Sequence, residues 1–240
     1  MEAQSARSLR RPQMRMAGNW KSSEVVAIAL ILAPAASRAQ LVETSVQPIS
    51  EANWSATAGR TAGTGNSVLQ AEAGWPGIGF TWLKGLDERT DIGFHVAVNY
   101  GLEGTSTSVT GVNLAVPYRR TLANMGDTTI AFDMQPGVSL YRNNGALFGI
   151  GGPIGVVAGF QVNPQLTLDA GADVPVLISF SNPAGFFFGP QFGGGGEYLI
   201  DRNLAVTARF RVGPRFALDS AGSNSQTGFV TLIGLAYNAR

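Results

Sequence analysis

Residues able to do covalent chemistry are sparse in this chain. His95 is the single histidine and cysteine is absent. Thiolate chemistry, disulfides and a lipidated cysteine anchor are therefore excluded, and a zinc site has too few ligands. A histidine base requires a hydroxyl nucleophile within hydrogen-bond reach and usually a third group to orient it. The neighbours of His95 are Phe94, Val96 and Ala97, with no serine two positions away. Asp91 shares its strand face but lies roughly 13 Å along the strand at the usual rise per residue. Ser106, Ser108 and Ser139 fall in a loop or on a more distant strand. His95 is expected to be structural, and no catalytic residue, metal or cofactor is assigned. Gly193-Gly194-Gly195-Gly196 lacks the lysine and helix of a phosphate loop. Like Gly149-Ile150-Gly151-Gly152, it reads as close packing within a strand.

What remains is charge. Glu72, Asp91, Asp133, Asp169, Asp173 and Glu197, with Arg119, Arg209, Arg211 and Arg215, stand opposite bulky apolar residues in alternating segments. In a small barrel this face points inward, and charges of both signs there pair and fill the lumen. The preferred reading is a structural ion-pair plug; the alternative is a charged pathway for a small solute. Net charge is +1, so no nucleic-acid surface is implied.

The elements that carry these charges have a period of two. Ile92, Phe94, Val96, Val98 and Tyr100 alternate with Asp91, Gly93, His95, Ala97 and Asn99. Residues 129–141, 165–178 and 203–212 repeat the pattern. Such alternation marks strands with one apolar face, and runs of ten or more residues suit a tilted strand crossing a bilayer. The fold class is predicted to be all-β, an up-and-down antiparallel transmembrane barrel of ten strands. Those strands are 67–74, 77–85, 90–100, 108–119, 128–141, 147–161, 165–180, 186–199, 203–217 and 228–238. If the tight reversal at Trp75-Pro76-Gly77 fails, eight strands remain. Tight polar breaks (Leu86 to Arg89, Ala123 to Gly126, Asn163-Pro164, Asp201 to Asn203) alternate with longer Gly/Ser/Asn-rich ones (101–107, 143–146, 181–185, 219–227). Short turns at one rim and longer loops at the other is the transmembrane-barrel arrangement. Trp82, Tyr118, Phe160, Tyr198 and Tyr237 precede the tight turns at steps near forty residues, and read as aromatics at one membrane interface. Trp75, Tyr100, Tyr141, Phe180 and Phe216 fall to the opposite rim. A forty-residue period also fits propeller blades, but their strands are shorter and no Trp-Asp signature is present.

The chain begins with an address. Arg7, Arg10, Arg11, Arg15 and Lys21 precede an apolar run from Val25 to Ala36, followed by Ser37-Arg38-Ala39. These are the three parts of a cleavable secretory signal peptide, assigned to 1–39. The apolar run is too short to span a bilayer as a helix. Its removal takes six of 17 basic and two of 16 acidic residues and leaves a formal charge of −3. Residues 40–66 show no clear period and are expected to be a flexible periplasmic arm, with the barrel occupying 67–240. Lysine occurs only at Lys21 and Lys84, whereas a water-facing sheet usually carries lysine at its edges.

Glu197-Tyr198-Leu199-Ile200-Asp201-Arg202-Asn203-Leu204-Ala205-Val206 resembles the strand–turn–strand phrase of small bacterial outer-membrane barrel proteins of the OmpA-like type. Trp82 to Tyr100 is a second such phrase, and the pattern covers most of 67–238. Such barrels commonly end in an aromatic residue read by the insertion machinery; here Tyr237 is followed by Asn238-Ala239-Arg240. The resemblance implies an outer-membrane location. Its expected partners are membrane lipid and the barrel-insertion machinery during assembly. The leading functional expectation is a non-enzymatic, porin-like barrel with a structural, surface-contact or minor solute-passage role. The alternatives are a lipid-modifying outer-membrane enzyme and a soluble periplasmic β-protein that binds a small apolar ligand.

Overall fold

A computed structural model describes residues 53–102, 107–142, 146–181, 184–219 and 222–239. The expected signal peptide and residues 40–52 of the expected arm lie outside these. The elements are β1 (Ser67–Trp75), β2 (Gly77–Gly85), β3 (Thr90–Gly101), β4 (Ser108–Ala115), β5 (Tyr118–Met125), β6 (Thr128–Met134), β7 (Gly137–Arg142), β8 (Ala146–Gln161), β9 (Leu166–Ser179), β10 (Gly185–Phe188), β11 (Gln191–Leu199), β12 (Leu204–Asp219) and β13 (Gly222–Ala239). All pairings are antiparallel, and β1 pairs with both β2 and β13. The pairs β4/β5, β6/β7 and β10/β11 are each one strand interrupted in the middle, so the wall is a closed barrel of ten strands. The first hairpin holds: β1 and β2 pair from Ser67–Lys84 to Ala73–Ile78.

Closure fixes which face is which. Ile92, Phe94, Val98 and Tyr100 are exposed on the outer surface, with Val98 58 % exposed. Val96 pairs with Phe80 and Leu114, both exposed, and shares their face. The interleaved Asp91, Ala97 and Asn99 are buried inside. The same alternation runs through β4, where Val112 and Leu114 face out and Asn113 and Ala115 face in. Apolar outside and polar inside is the reverse of a water-soluble barrel, whose interior holds the bulky apolar side chains.

The short rim is built from turns whose own side chains close them. Asp87 Oδ1 accepts from the Arg89 N–H at 2.7 Å, which holds this carboxyl below its usual range. Asn163 Oδ1 accepts from Gln165 and Leu166, and Asp201 Oδ1 from Asn203 and Leu204. Such Asx turns are a local device that needs no tertiary support. The fourth turn uses Gly126 at φ +70°, a conformation costly for other residues.

Two boundaries differ from the sequence expectation. Of the loop expected at 219–227, Asp219 and 222–227 are strand: β12 and β13 stay in register to Asp219–Gly222. Residues 222–227 are exposed, which explains the absence of an apolar signal there. The fourth strand runs on to Met125 rather than stopping near 119, with a register shift between Thr121 and Ala123.

The interruptions in the wall share a cause. Pro117, Pro136, Pro153, Pro175, Pro190 and Pro214 place one proline in each of six successive strands. A proline removes a ladder donor and is tolerated in sheets mainly at edges and irregularities. Pro117, Pro136 and Pro190 stand in gaps between strands, whereas β8, β9 and β12 run unbroken through the other three, and all six lie side by side. The Val116 N–H donates to Pro136 O at 2.8 Å and the Gln135 N–H to Pro153 O at 2.9 Å. Pro153 pairs with Pro175. On the far side, the gap at Gly189-Pro190 faces Gly213-Pro214. The result is one continuous seam around more than half of the wall.

Candidate functional site

The inward face carries the charges that the alternation predicts. Glu72, Asp169, Glu197, Arg119, Arg211 and Arg215 are buried, and Asp133, Asp173 and Arg209 half-buried. They group on adjacent or next-but-one strands. Arg119 Nε donates to Asp133 Oδ1 at 2.9 Å. Arg209 Nη2 lies 3.3 Å from Glu72 Oε2. Arg211 bridges Asp169 at 3.5 Å and Asp173 at 3.4 Å. Arg215 donates to the Pro175 carbonyl at 3.2 Å, beside the seam. A buried charge without a partner is expensive, and this pairing of opposite signs explains how so many fit in one small lumen.

Two acids have partners that alternation could not reveal. Glu197 Oε2 accepts from Ala56 N at 2.9 Å, Ser55 Oγ at 3.1 Å and Thr57 N at 3.2 Å. Asp91, fully buried, accepts from Ala62 N at 3.0 and 3.1 Å. Both hold the segment before β1. Reading 40–66 as a flexible arm therefore does not describe 53–66. Trp54, Ser55, Ala56, Ala58 and Ala62 are buried inside the barrel. Arg119 donates to the carbonyls of Ser55, Ala56 and Arg60 at 3.0, 2.6 and 3.2 Å. Thr121 and Thr129 bind the carbonyls of Gly59 and Ala58 at 2.8 Å each. Trp54 Nε1 reaches Arg202 O in a short turn at 2.9 Å, and Thr61 reaches Glu88 O at 3.0 Å in another. The segment is a stopper across the short-turn mouth. Its small residues and absent period hid it, since it satisfies its backbone with wall side chains instead of a ladder.

Between the stopper and the rim at Pro76-Gly77 lies a cavity of about 190 Å³. His95 lines it, and its Nδ1 is 2.8 Å from Thr81 Oγ1, directly across the strand pair. This hydroxyl partner comes from the neighbouring strand, where a search along one strand does not look. Among the described residues no carboxylate hydrogen-bonds to the imidazole, and no cluster of three metal-ligating side chains is present. Glycines make room for these groups. A Cβ at Gly79 would lie 3.0 Å from His95 Cε1, and one at Gly171 2.9 Å from Arg211 Nη2. Gly193 to Gly196 lie in β11 between β9 and β12, as strand packing rather than a phosphate loop.

The aromatics divide. Trp82, Phe160, Tyr198 and Tyr237 are exposed near the short-turn ends of their strands. Tyr118 is not at the rim: it opens β5, whose turn follows Met125. At the other rim Trp75 packs against Tyr100 and Phe229, Phe148 against Phe180, and Phe188 against Phe216. Tyr141 departs from that set. It is buried in the lumen, its hydroxyl accepting from Asn99 Nδ2 at 3.1 Å. No known family model matches this chain, and no curated protein matches it.

Proposed function

We propose that the chain is a non-enzymatic, outer-membrane barrel that spans the bilayer with its lumen held shut, in a structural, surface-contact or minor solute-handling role. In this reading residues 1–39 direct export, membrane lipid covers the wall, and insertion machinery assembles it in the manner of OmpA-like barrels. The observation that carries the reading is the facing of the wall. Bulky apolar side chains point outward on every side, while the ion pairs and the stopper fill the inside. In water such a surface would aggregate; in lipid it is solvated, and closure leaves no unpaired sheet edge. A soluble carrier of an apolar ligand is disfavoured by the same facing, because the cavity lining includes three acids and three arginines. A lipid-modifying enzyme is disfavoured because His95 and Thr81 face the lumen and, among the described residues, no acid hydrogen-bonds to the imidazole.

The test uses two adjacent positions. Val96→Asp puts a charge on the outer face and Ala97→Asp puts one into the polar cavity. A charge at mid-membrane costs on the order of 2–4 kcal/mol for basic residues and less for acidic ones. Val96→Asp is expected to lower the folded yield in lipid vesicles, with Ala97→Asp near the parent. Equal yields would overturn the reading.

A further inference from the structure

We infer that the lumen cavity is a binding site for a small zwitterion, a solute with one cationic and one anionic group in the size range of a free amino acid. The inference deepens the reading of a closed barrel and rests on it for the side from which solute arrives. The ionisable lining beside His95 is Glu72, Asp133 and Asp173 against Arg119, Arg209 and Arg211, three of each sign. In each pair one side chain is sunk in the wall and its partner is open to the cavity. Arg209 is 38 % exposed where Glu72 is 6 %. Asp133 is 37 % exposed where Arg119 is 10 %. Asp173 is 24 % exposed where Arg211 is 9 %. The cavity thus presents one accessible guanidinium on β12 and accessible carboxylates on β6 and β9.

A net-charged solute would add an unbalanced charge to a lining with equal numbers of acids and arginines, which is costly. A zwitterion brings its own balance: its anionic end meets Arg209 and its cationic end meets Asp133 or Asp173. The cavity volume of about 190 Å³ has room for a solute of this size.

The experiment is calorimetric titration of the full chain, folded in detergent micelles, with L-glutamine, D-glucose, acetate and ethylammonium. L-glutamine alone of the four is expected to bind saturably. Arg209→Gln leaves Glu72 buried without its ion-pair partner, so the paired variant Glu72→Gln/Arg209→Gln is made with it, and Asp133→Asn separately. Each that folds by circular dichroism is expected to weaken L-glutamine at least tenfold. Binding of glucose alone, binding of a singly charged probe as tight as L-glutamine, or no binding by the folded parent would each overturn the inference. None of these would disturb the membrane reading, which stands or falls on the facing of the wall.

Discussion

Arg119 joins the wall to the stopper. One guanidinium serves Asp133 through Nε and three stopper carbonyls through Nη1 and Nη2. A lysine keeps the charge but offers a single ammonium on a flexible stem, which cannot fan out to all four acceptors. Hydrogen bonds to charged groups contribute about 1.5–3 kcal/mol each. Arg119→Lys is therefore expected to lower stability by about 1–3 kcal/mol, read as a shift in the urea midpoint of the micelle-bound protein. An unchanged midpoint would show that the fork contributes nothing. The inward facing of Arg119 was legible from alternation. Its partners were not, because Ser55, Ala56 and Arg60 lie about sixty residues away in a stretch with no period. Tyr141 was misread for a related reason. An aromatic near a strand end suggests an interface, but its facing follows the strand's register, which places it inward beside Asn99.

At the scale of elements, the stopper is held at several points by wall side chains, so removing one of the main acceptors should loosen it. Glu197→Ala strips the common acceptor from Ser55, Ala56 and Thr57. In planar bilayers the parent is expected to pass no steady current and Glu197→Ala to show discrete openings. A parent with large steady conductance, or a variant as silent as the parent, would contradict a stopper held this way. The ten strands themselves were legible because period-two alternation survives in each, even across the seam. The prolines were visible too, one in each strand from the fourth to the ninth. What the sequence could not supply was their alignment, since only the cross-strand register brings Pro117, Pro136, Pro153 and Pro175 side by side. The ribbon at 222–227 was lost for the opposite reason: with both faces in solvent it carries no alternation to read.

For the molecule as a whole, closure and facing together support lipid as the proposed surroundings of the wall. A sheet closed on itself satisfies its backbone without water, and this one turns Phe80, Phe94, Leu114, Leu140, Ile150 and Leu235 outward. Balanced ion pairs and a folded-in segment occupy the inside, where a soluble barrel keeps its apolar core. The most direct measurement of this arrangement uses two tryptophans on opposite sides of the wall. Trp82 is 40 % exposed on the outer face and Trp54 is 3 % exposed within the stopper. Chains retaining only one of them, the others replaced by phenylalanine, would be folded into vesicles of brominated lipid. The expected result is strong quenching of Trp82 by the brominated acyl chains and little quenching of Trp54. Trp82 untouched by brominated lipid but quenched by aqueous acrylamide would contradict a barrel set in the bilayer.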